Sequence, residues 1–278
     1  MIRTADHPIT EPERLAEDLS LALRAVSDAG RALLPAFHAG QEVRYKGPGQ
    51  PVTDADLMAD RMLRDALMGA RPDYGWLSEE TKDSPERLAR SRVWVVDPID
   101  GTNSFVKGIP EWTVCVGLAV DGRAVLGVVY NPATAEMFHA ARGMGAFLNG
   151  LPIHVSAGER DGAPVAWASR SEMRRGEFDS FDGWRITPLG SAAYKMVKVA
   201  DAAGDVFVSR GPKSEWDLCG AQVIVEEAGG QVTDARGRPL TYNRPDPNID
   251  GVAATNRTLH ARLLAHVATL PGGTTSAG

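Results

Sequence analysis

Apolar residues at Leu15, Leu19, Leu23, Val26, Leu33 and Phe37 recur at helical spacing, with Glu13, Arg14, Glu17, Asp18 and Arg24 on the outward side. This pattern predicts an amphipathic helix over residues 12–38, kinked near its end by Pro35 and stopped at Gly40. A short strand over 42–46 follows. The loop Gly47-Pro48-Gly49-Gln50-Pro51 is too polar for the core and is expected to form a mobile flap over a site. Thr53 or Asp54 caps a second predicted helix reaching about Met68. From Trp94 the pattern turns to strand. Thr113–Val120 and Ala124–Tyr130 flank Asp121-Gly122, a strong hairpin signal, and another hairpin is expected around 136–148 with Gly143 and Gly145 in its turn. Beyond residue 160, strands at 164–168, 185–188, 205–208 and 252–254 alternate with helical patterns at 171–178, 191–202, 217–228 and 256–269. Such alternation marks an α/β arrangement. Residues 271–278 carry no apolar pattern and are expected to be disordered.

Composition narrows the class. The chain has 278 residues, 43% hydrophobic and 24% charged, which suffices to bury a sizeable core. A net charge of −6 argues against a nucleic-acid polymer or an anionic membrane as partner. No apolar run reaches membrane-spanning length, and Met1–Asp6 lacks a signal-peptide core. Cys115 and Cys219 lie in apolar runs without metal-ligand spacing, so buried free thiols in a reducing cytosol are expected.

The chemistry concentrates in Asp97-Pro98-Ile99-Asp100-Gly101-Thr102, which follows the apolar run Trp94-Val95-Val96. Carboxylates at the mouth of a strand suit a hard cation such as magnesium, which takes oxygen ligands. The backbone N–H groups of a helix opening at Gly101 and Thr102 suit a phosphate. Further acidic clusters stand at Asp54/Asp56, Glu79/Glu80 and Glu215/Asp217. Taken singly, each has a plainer reading: a solvated acidic face for Glu79-Glu80, or an Asx-type turn around Pro98. The six histidines are scattered and no G-x-S-x-G elbow is present, so no competing nucleophile emerges. His139 and His154 read as structural.

These motifs, with Gly190-Ser191-Ala192-Ala193, Trp216-Asp217 and the Gly-ended helix at Glu226-Glu227-Ala228-Gly229-Gly230, resemble the inositol monophosphatase superfamily over residues 15–265. Members are magnesium-dependent, lithium-sensitive phosphomonoesterases. The resemblance implies an α+β fold, a layered αβαβα sandwich, with an N-terminal antiparallel sheet half (1–160) carrying most metal ligands. A C-terminal α/β half (161–270) carries substrate contacts and Asp217. It implies two to three Mg2+ ions: Glu79, Asp97 and the Ile99 carbonyl on the first, Asp97, Asp100 and Asp217 on the second. Thr102, oriented by Asp56, would contact the attacking water, and Glu79 or Glu80 would take its proton. Asp100, Gly101, Thr102, Gly190, Ser191, Ala192, Lys195, Arg210 and Asp217 would contact substrate. Trp216 would pack beneath the site and fix Asp217. A cytoplasmic enzyme acting on a small phosphorylated metabolite is implied, in a family that often forms homodimers.

Substrate choice is less constrained. Inositol-selective members place a glutamate seven positions before the Asp217 equivalent, where an ungapped count finds Arg210. A guanidinium suits a second anion better than a polyol. With Lys195 and Lys213 nearby, the C-terminal region looks more like bacterial 3′(2′),5′-bisphosphate nucleotidases, although Arg210 and Lys213 also read as solvated charges. Inositol 1-phosphate is the alternative substrate, with fructose 1,6-bisphosphate and histidinol phosphate behind it. A non-catalytic phosphate binder would have lost a carboxylate or the threonine, and none is lost.

Overall fold

The computed structural model describes residues 10–39, 43–47, 50–158 and 162–270. The expectations for Gly40, for Pro48-Gly49 at the flap and for the 271–278 tail lie outside the described residues. In chain order the elements are α1 (Glu11–Ala39), β1 (Arg44–Gly47), β2 (Gln50–Val52), α2 (Asp54–Ala70), β3 (Gly75–Ser78), β4 (Arg92–Asp100), α3 (Thr102–Val106), β5 (Thr113–Val120), β6 (Arg123–Asn131), β7 (Glu136–Ala141), β8 (Ala146–Leu148) and β9 (Leu151–Pro152). There follow β10 (Val165–Ala168), α4 (Arg170–Arg174), β11 (Arg185–Pro188), α5 (Ala192–Ala200), β12 (Val206–Ser209), β13 (Lys213–Ser214), α6 (Glu215–Glu227), β14 (Gln231–Thr233), β15 (Asn248–Ile249), β16 (Val252–Thr255) and α7 (His260–Thr269).

Strands β3 to β9 form one seven-stranded sheet in sequential order. It is antiparallel except for β3, which pairs parallel with β4. Strand alternation sorts the core. Trp94, Val96, Val114, Val116 and Val128 pack with α1 and α2 on one face. Val93, Val95, Cys115 and Val129 pack with α5 and α6 on the other. Helices α5 and α6 are in turn covered by Phe207, Val252 and Ala254 of a second sheet, ordered β11-β10-β12-β16-β14. Its far face packs on Leu259, which precedes α7, and on Leu263 of α7. The layers therefore run αβαβα. The second sheet is mixed: β10 is parallel to β11 and β12, while β16 is antiparallel to β12 and β14.

Three local expectations are corrected. Asp18 does not face solvent. It is fully buried, accepting from Arg71 Nε at 2.6 Å and Tyr74 Oη at 2.7 Å. The predicted helix at 171–178 shrinks to Arg170–Arg174, and the one at 256–269 starts only at His260. Strand β3, unanticipated because its apolar stretch is so short, places Glu79 directly beside β4.

The α6 helix docks on the sheet at unusually close range. A Cβ added to Gly127 on β6 would lie 1.8 Å from the Gly220 carbonyl oxygen of α6. One added to Gly117 on β5 would meet Cys219 Sγ at 2.6 Å. Only glycine permits this approach. It delivers the first turn of α6, with Asp217, to the end of β4.

Candidate active site

Strand β4 does not end at Asp97 as expected. It continues to Asp100 with one extra residue: Asp97 pairs with Cys115 and Asp100 with Thr113. Residues three apart on a regular strand point to opposite faces, so the extra residue returns Asp100 to the face of Asp97. Pro98, which has no N–H for the ladder, occupies the bulge. Ile99 meanwhile packs into the α1/α2 face. The bulge is thus what turns two spaced aspartates into a pair.

Asp217 completes the cluster. Asp97, Asp100 and Asp217 each offer an oxygen within 4.8 Å of the others. Asp97 and Asp100 are buried and Asp217 is half-buried. Asp97 Oδ1 accepts the Ile99 N–H at 3.0 Å. Asp217, the third residue of α6, accepts the Ser214 N–H at 2.9 Å in a capping box. Asp100 sits against the start of α5, accepting from Ser191 Oγ at 2.5 Å, Ala193 N–H at 2.6 Å and Ala192 N–H at 3.1 Å. Ser191 adopts φ +59° to bring its hydroxyl round.

Burial, then Glu79, Asp100 and Asp217, push the Asp97 carboxyl well above the carboxylate range. Burial, then Asp100, raise Asp217 to about 7, against the Ser214 N–H and Lys213. Crowded anions of this kind call for a cation. An all-oxygen donor set of carboxylates, with the Ile99 carbonyl and Glu79 alongside, fits magnesium.

The other expected residues divide. Glu79 lines the cavity around the cluster, with Ile99, Gly101, Thr102, Gly190, Ser191, Ala192, Lys195 and Trp216. Glu79 donates its N–H to the Val96 carbonyl at 3.2 Å, which sets it level with Asp97. Trp216 is half-buried and packs against the core under α6, consistent with an anchor for its neighbour. Gly101, at φ +97°, caps α3, and its own and Thr102's N–H groups open that helix. The Thr102 hydroxyl has two acceptors, the Ile99 carbonyl at 3.0 Å and Asp56 Oδ1 at 3.3 Å, and one proton to donate. Asp56 is buried, with its second oxygen on Thr53 N–H and Oγ1 at 2.7 and 2.6 Å. It does not line the cavity, and neither does Glu80.

Two substrate-contact expectations change. Gly190 and Ala192 line the cavity, but their N–H groups, like the Ser191 hydroxyl, are committed to Glu111 and Asp100. Arg210 lies beyond β12, half-exposed and outside the lining. After β12 the chain next lines the cavity at Pro212 and Lys213.

The cavity, about 810 Å3, also has a cationic side that sequence reasoning missed in part. Lys107, Arg170 and Arg174 line it with Lys195 and Lys213. Arg170 makes a two-pronged pair with Glu111, which also accepts the Gly190 N–H. Lys107 and Arg174 are exposed and make no ion pair among the described residues. The signal was present: Ser169 and Glu172 spell a capping box that opens a helix at Arg170.

Lys195 is buried, donates to the Leu189 carbonyl at 3.2 Å and lies over the Phe207 ring. Burial lowers it to about 8, with Asp100 and Glu172 opposing. Between about 8 and the ordinary 10.5 the folded chain binds fewer protons than the unfolded one, so its stability rises with pH across that window. Below about 8 the full cost of burying the charge applies. Lys195→Met is therefore expected to be more stable at pH 7 by up to about 3 kcal/mol, an advantage that fades toward pH 10.5. Denaturant titrations at pH 7 and pH 10 check this, and equal stability at both would refute it.

A family model, described as the inositol monophosphatase family, matches residues 14–271. An inositol-1-monophosphatase from Rhizobium meliloti is 36% identical over 235 residues, covering 80% of this chain and 88% of that protein. A 3′(2′),5′-bisphosphate nucleotidase CysQ from Aggregatibacter actinomycetemcomitans is 30% identical over 252 residues, covering 87% and 92%. The Thermotoga maritima IMPase structure superposes with a TM-score of 0.78 at 30% identity, covering 91% of this chain and 97% of that one.

Proposed function

The chain belongs to the inositol monophosphatase family and is a phosphoric monoester hydrolase, and from that premise we propose that it is magnesium-dependent and prefers a small ester carrying a second anion. Adenosine 3′,5′-bisphosphate is the leading substrate. The observation that carries this reading is the cavity itself. It is far larger than a phosphate, and five cationic side chains line it beyond the carboxylates. Lys213 lies 3.8 Å from Glu172, and exposed Arg174 stands with it on the same lining. Relatives of comparable similarity carry different substrate names, so inositol 1-phosphate remains the second reading, favoured by the rhizobial relative.

In this reading Glu79, Asp97, Asp100, Asp217 and the Ile99 carbonyl hold the magnesium. Bound there, the metal neutralises the phosphate, activates water and stabilises the leaving oxygen. The chain's own groups do the positioning. Asp56 accepts a hydrogen bond from the Thr102 hydroxyl, leaving that oxygen's lone pairs free to accept from the attacking water. The opening N–H groups of α3 hold phosphate oxygens. Asp100, braced by three donors at α5, keeps its charge aimed at the cluster. Glu79 receives the water's proton in this reading, supported by its lining the cavity where Glu80 does not. The buried free thiols of Cys115 and Cys219 suit a reducing compartment, in keeping with a cytoplasmic enzyme. Among the described residues no helix is long and apolar enough to cross a membrane.

The test is kcat/KM with magnesium for adenosine 3′,5′-bisphosphate and for inositol 1-phosphate, side by side. Lys213→Glu and Arg174→Glu should each lower the nucleotide-to-inositol ratio at least about tenfold, the worth of one charge-assisted hydrogen bond. Arg210→Glu should leave the ratio unchanged. A preference for inositol 1-phosphate that neither charge reversal moves would replace the leading substrate with the second.

A further inference from the structure

The cavity does not reach Asp60, yet this carboxylate is buried, and its hydrogen bonds go to the residues on either side of Glu79-Glu80. It stands on α2 one turn after Asp56. Its Oδ1 accepts from Ser78 Oγ, and its Oδ2 accepts from Thr81 Oγ1 at 2.5 Å. With their protons given to Asp60, both hydroxyl oxygens act as acceptors: Ser78 Oγ for the Glu80 N–H at 3.4 Å, Thr81 Oγ1 for Trp76 Nε1 at 3.3 Å. Asp60 has no basic partner in an ion pair among the described residues.

The two hydroxyls flank Glu79-Glu80 on both sides. That segment is a bend just past β3, and its backbone is tied to β4 by the Glu79 N–H on the Val96 carbonyl. Glu79 also sits where like charge pushes it away, since it acts on Asp97 as a repelling anion. Something must oppose that push if the Glu79 carboxylate is to stay beside Asp97, and a buried carboxylate gripping both ends of the bend can do so.

We infer that Asp60 is a positioning residue that clamps the 78–81 bend and so places Glu79 for metal binding. Helix α2 then orients two parts of the site through carboxylates one turn apart: Asp56 sets the Thr102 hydroxyl, and Asp60 sets Glu79. The inference rests on Glu79 being a metal ligand, as in the reading above.

Asparagine at position 60 can accept from one hydroxyl but must donate toward the other, which reverses one arm of the clamp. Mn2+ binding to the metal-free protein by calorimetry is the direct readout, with the magnesium midpoint of kcat beside it. Asp60→Asn is expected to weaken Mn2+ binding and raise the magnesium midpoint about 10- to 100-fold, the range for partners that orient metal ligands. KM at saturating magnesium should change little. Thr81→Val removes one arm with less disturbance and should shift Mn2+ affinity in the same direction by a smaller factor, so it decides the matter if Asp60→Asn does not fold. Folded Asp60→Asn or Thr81→Val proteins that melt lower but bind Mn2+ as the parent does would make Asp60 purely structural and overturn the inference. Glu79→Gln separates the two claims. If it leaves Mn2+ affinity unchanged, the ligand reading of Glu79 fails; if it weakens binding while both clamp variants do not, only the clamp fails.

Discussion

Asp97→Asn is expected to reduce kcat/KM by about a thousandfold or more while the protein stays folded. Asparagine matches aspartate in shape and retains an oxygen for the Ile99 N–H, which donates to Asp97 at 3.0 Å. What it loses is the charge most deeply set among the carboxylates, crowded by Glu79, Asp100 and Asp217. In the parent those anions repel one another until a cation enters. Magnesium should therefore raise the parent's melting temperature through binding to the folded state alone. The variant, with less repulsion to relieve, should melt at or above the parent in chelator and gain little from magnesium. The paired measurement is turnover at saturating magnesium and melting with and without the ion. Near-normal turnover in the variant would remove Asp97 from the metal site.

The second large effect is on folding. Gly127→Val is expected to cost more than about 4 kcal/mol and to leave little folded protein, because its Cβ would sit 1.8 Å from a backbone carbonyl oxygen of α6. Backbone cannot swing aside as a side chain can, so α6 would have to lift from β5 and β6. That would carry Asp217 away from Asp97 and Asp100 and expose the core between the two sheets. Denaturant unfolding followed by circular dichroism checks the expectation, and a loss under about 1 kcal/mol would mean that the α6 contact tolerates displacement.

Much of this molecule was legible along the chain because the relevant forces act locally. Helical spacing of apolar residues located α1, and Thr53 or Asp54 marked the start of α2, where Thr53 proves to be the cap. Asp121-Gly122 marked the β5–β6 hairpin, with both residues at positive φ. The acidic run at 97–102, with Glu79 and Asp217, carried the chemistry and the family. Periodicity, capping and turn chemistry depend on neighbours within a few residues, so sequence alone suffices for them.

What only the tertiary structure decided depends on neighbours far apart in the chain. The sequence presents Asp97 and Asp100 as two aspartates three positions apart. The pairing of β4 with β5 supplies the bulge that puts them on one face. Asp18 looked like a solvent-facing charge until Arg71 and Tyr74 arrived from α2 and the turn after it. Asp60 looked like an ordinary helix carboxylate until the 78–81 bend folded over it. Of the three cations singled out along the chain, Lys195 and Lys213 line the cavity and Arg210 does not, and Lys107, Arg170 and Arg174 join them only through the fold. Glycines 117, 127 and 220 looked unremarkable, yet they set the distance between helix and sheet that brings Asp217 home. In each case the deciding interaction joins segments tens of residues apart, and its energy depends on three-dimensional distance and burial, which no local pattern encodes.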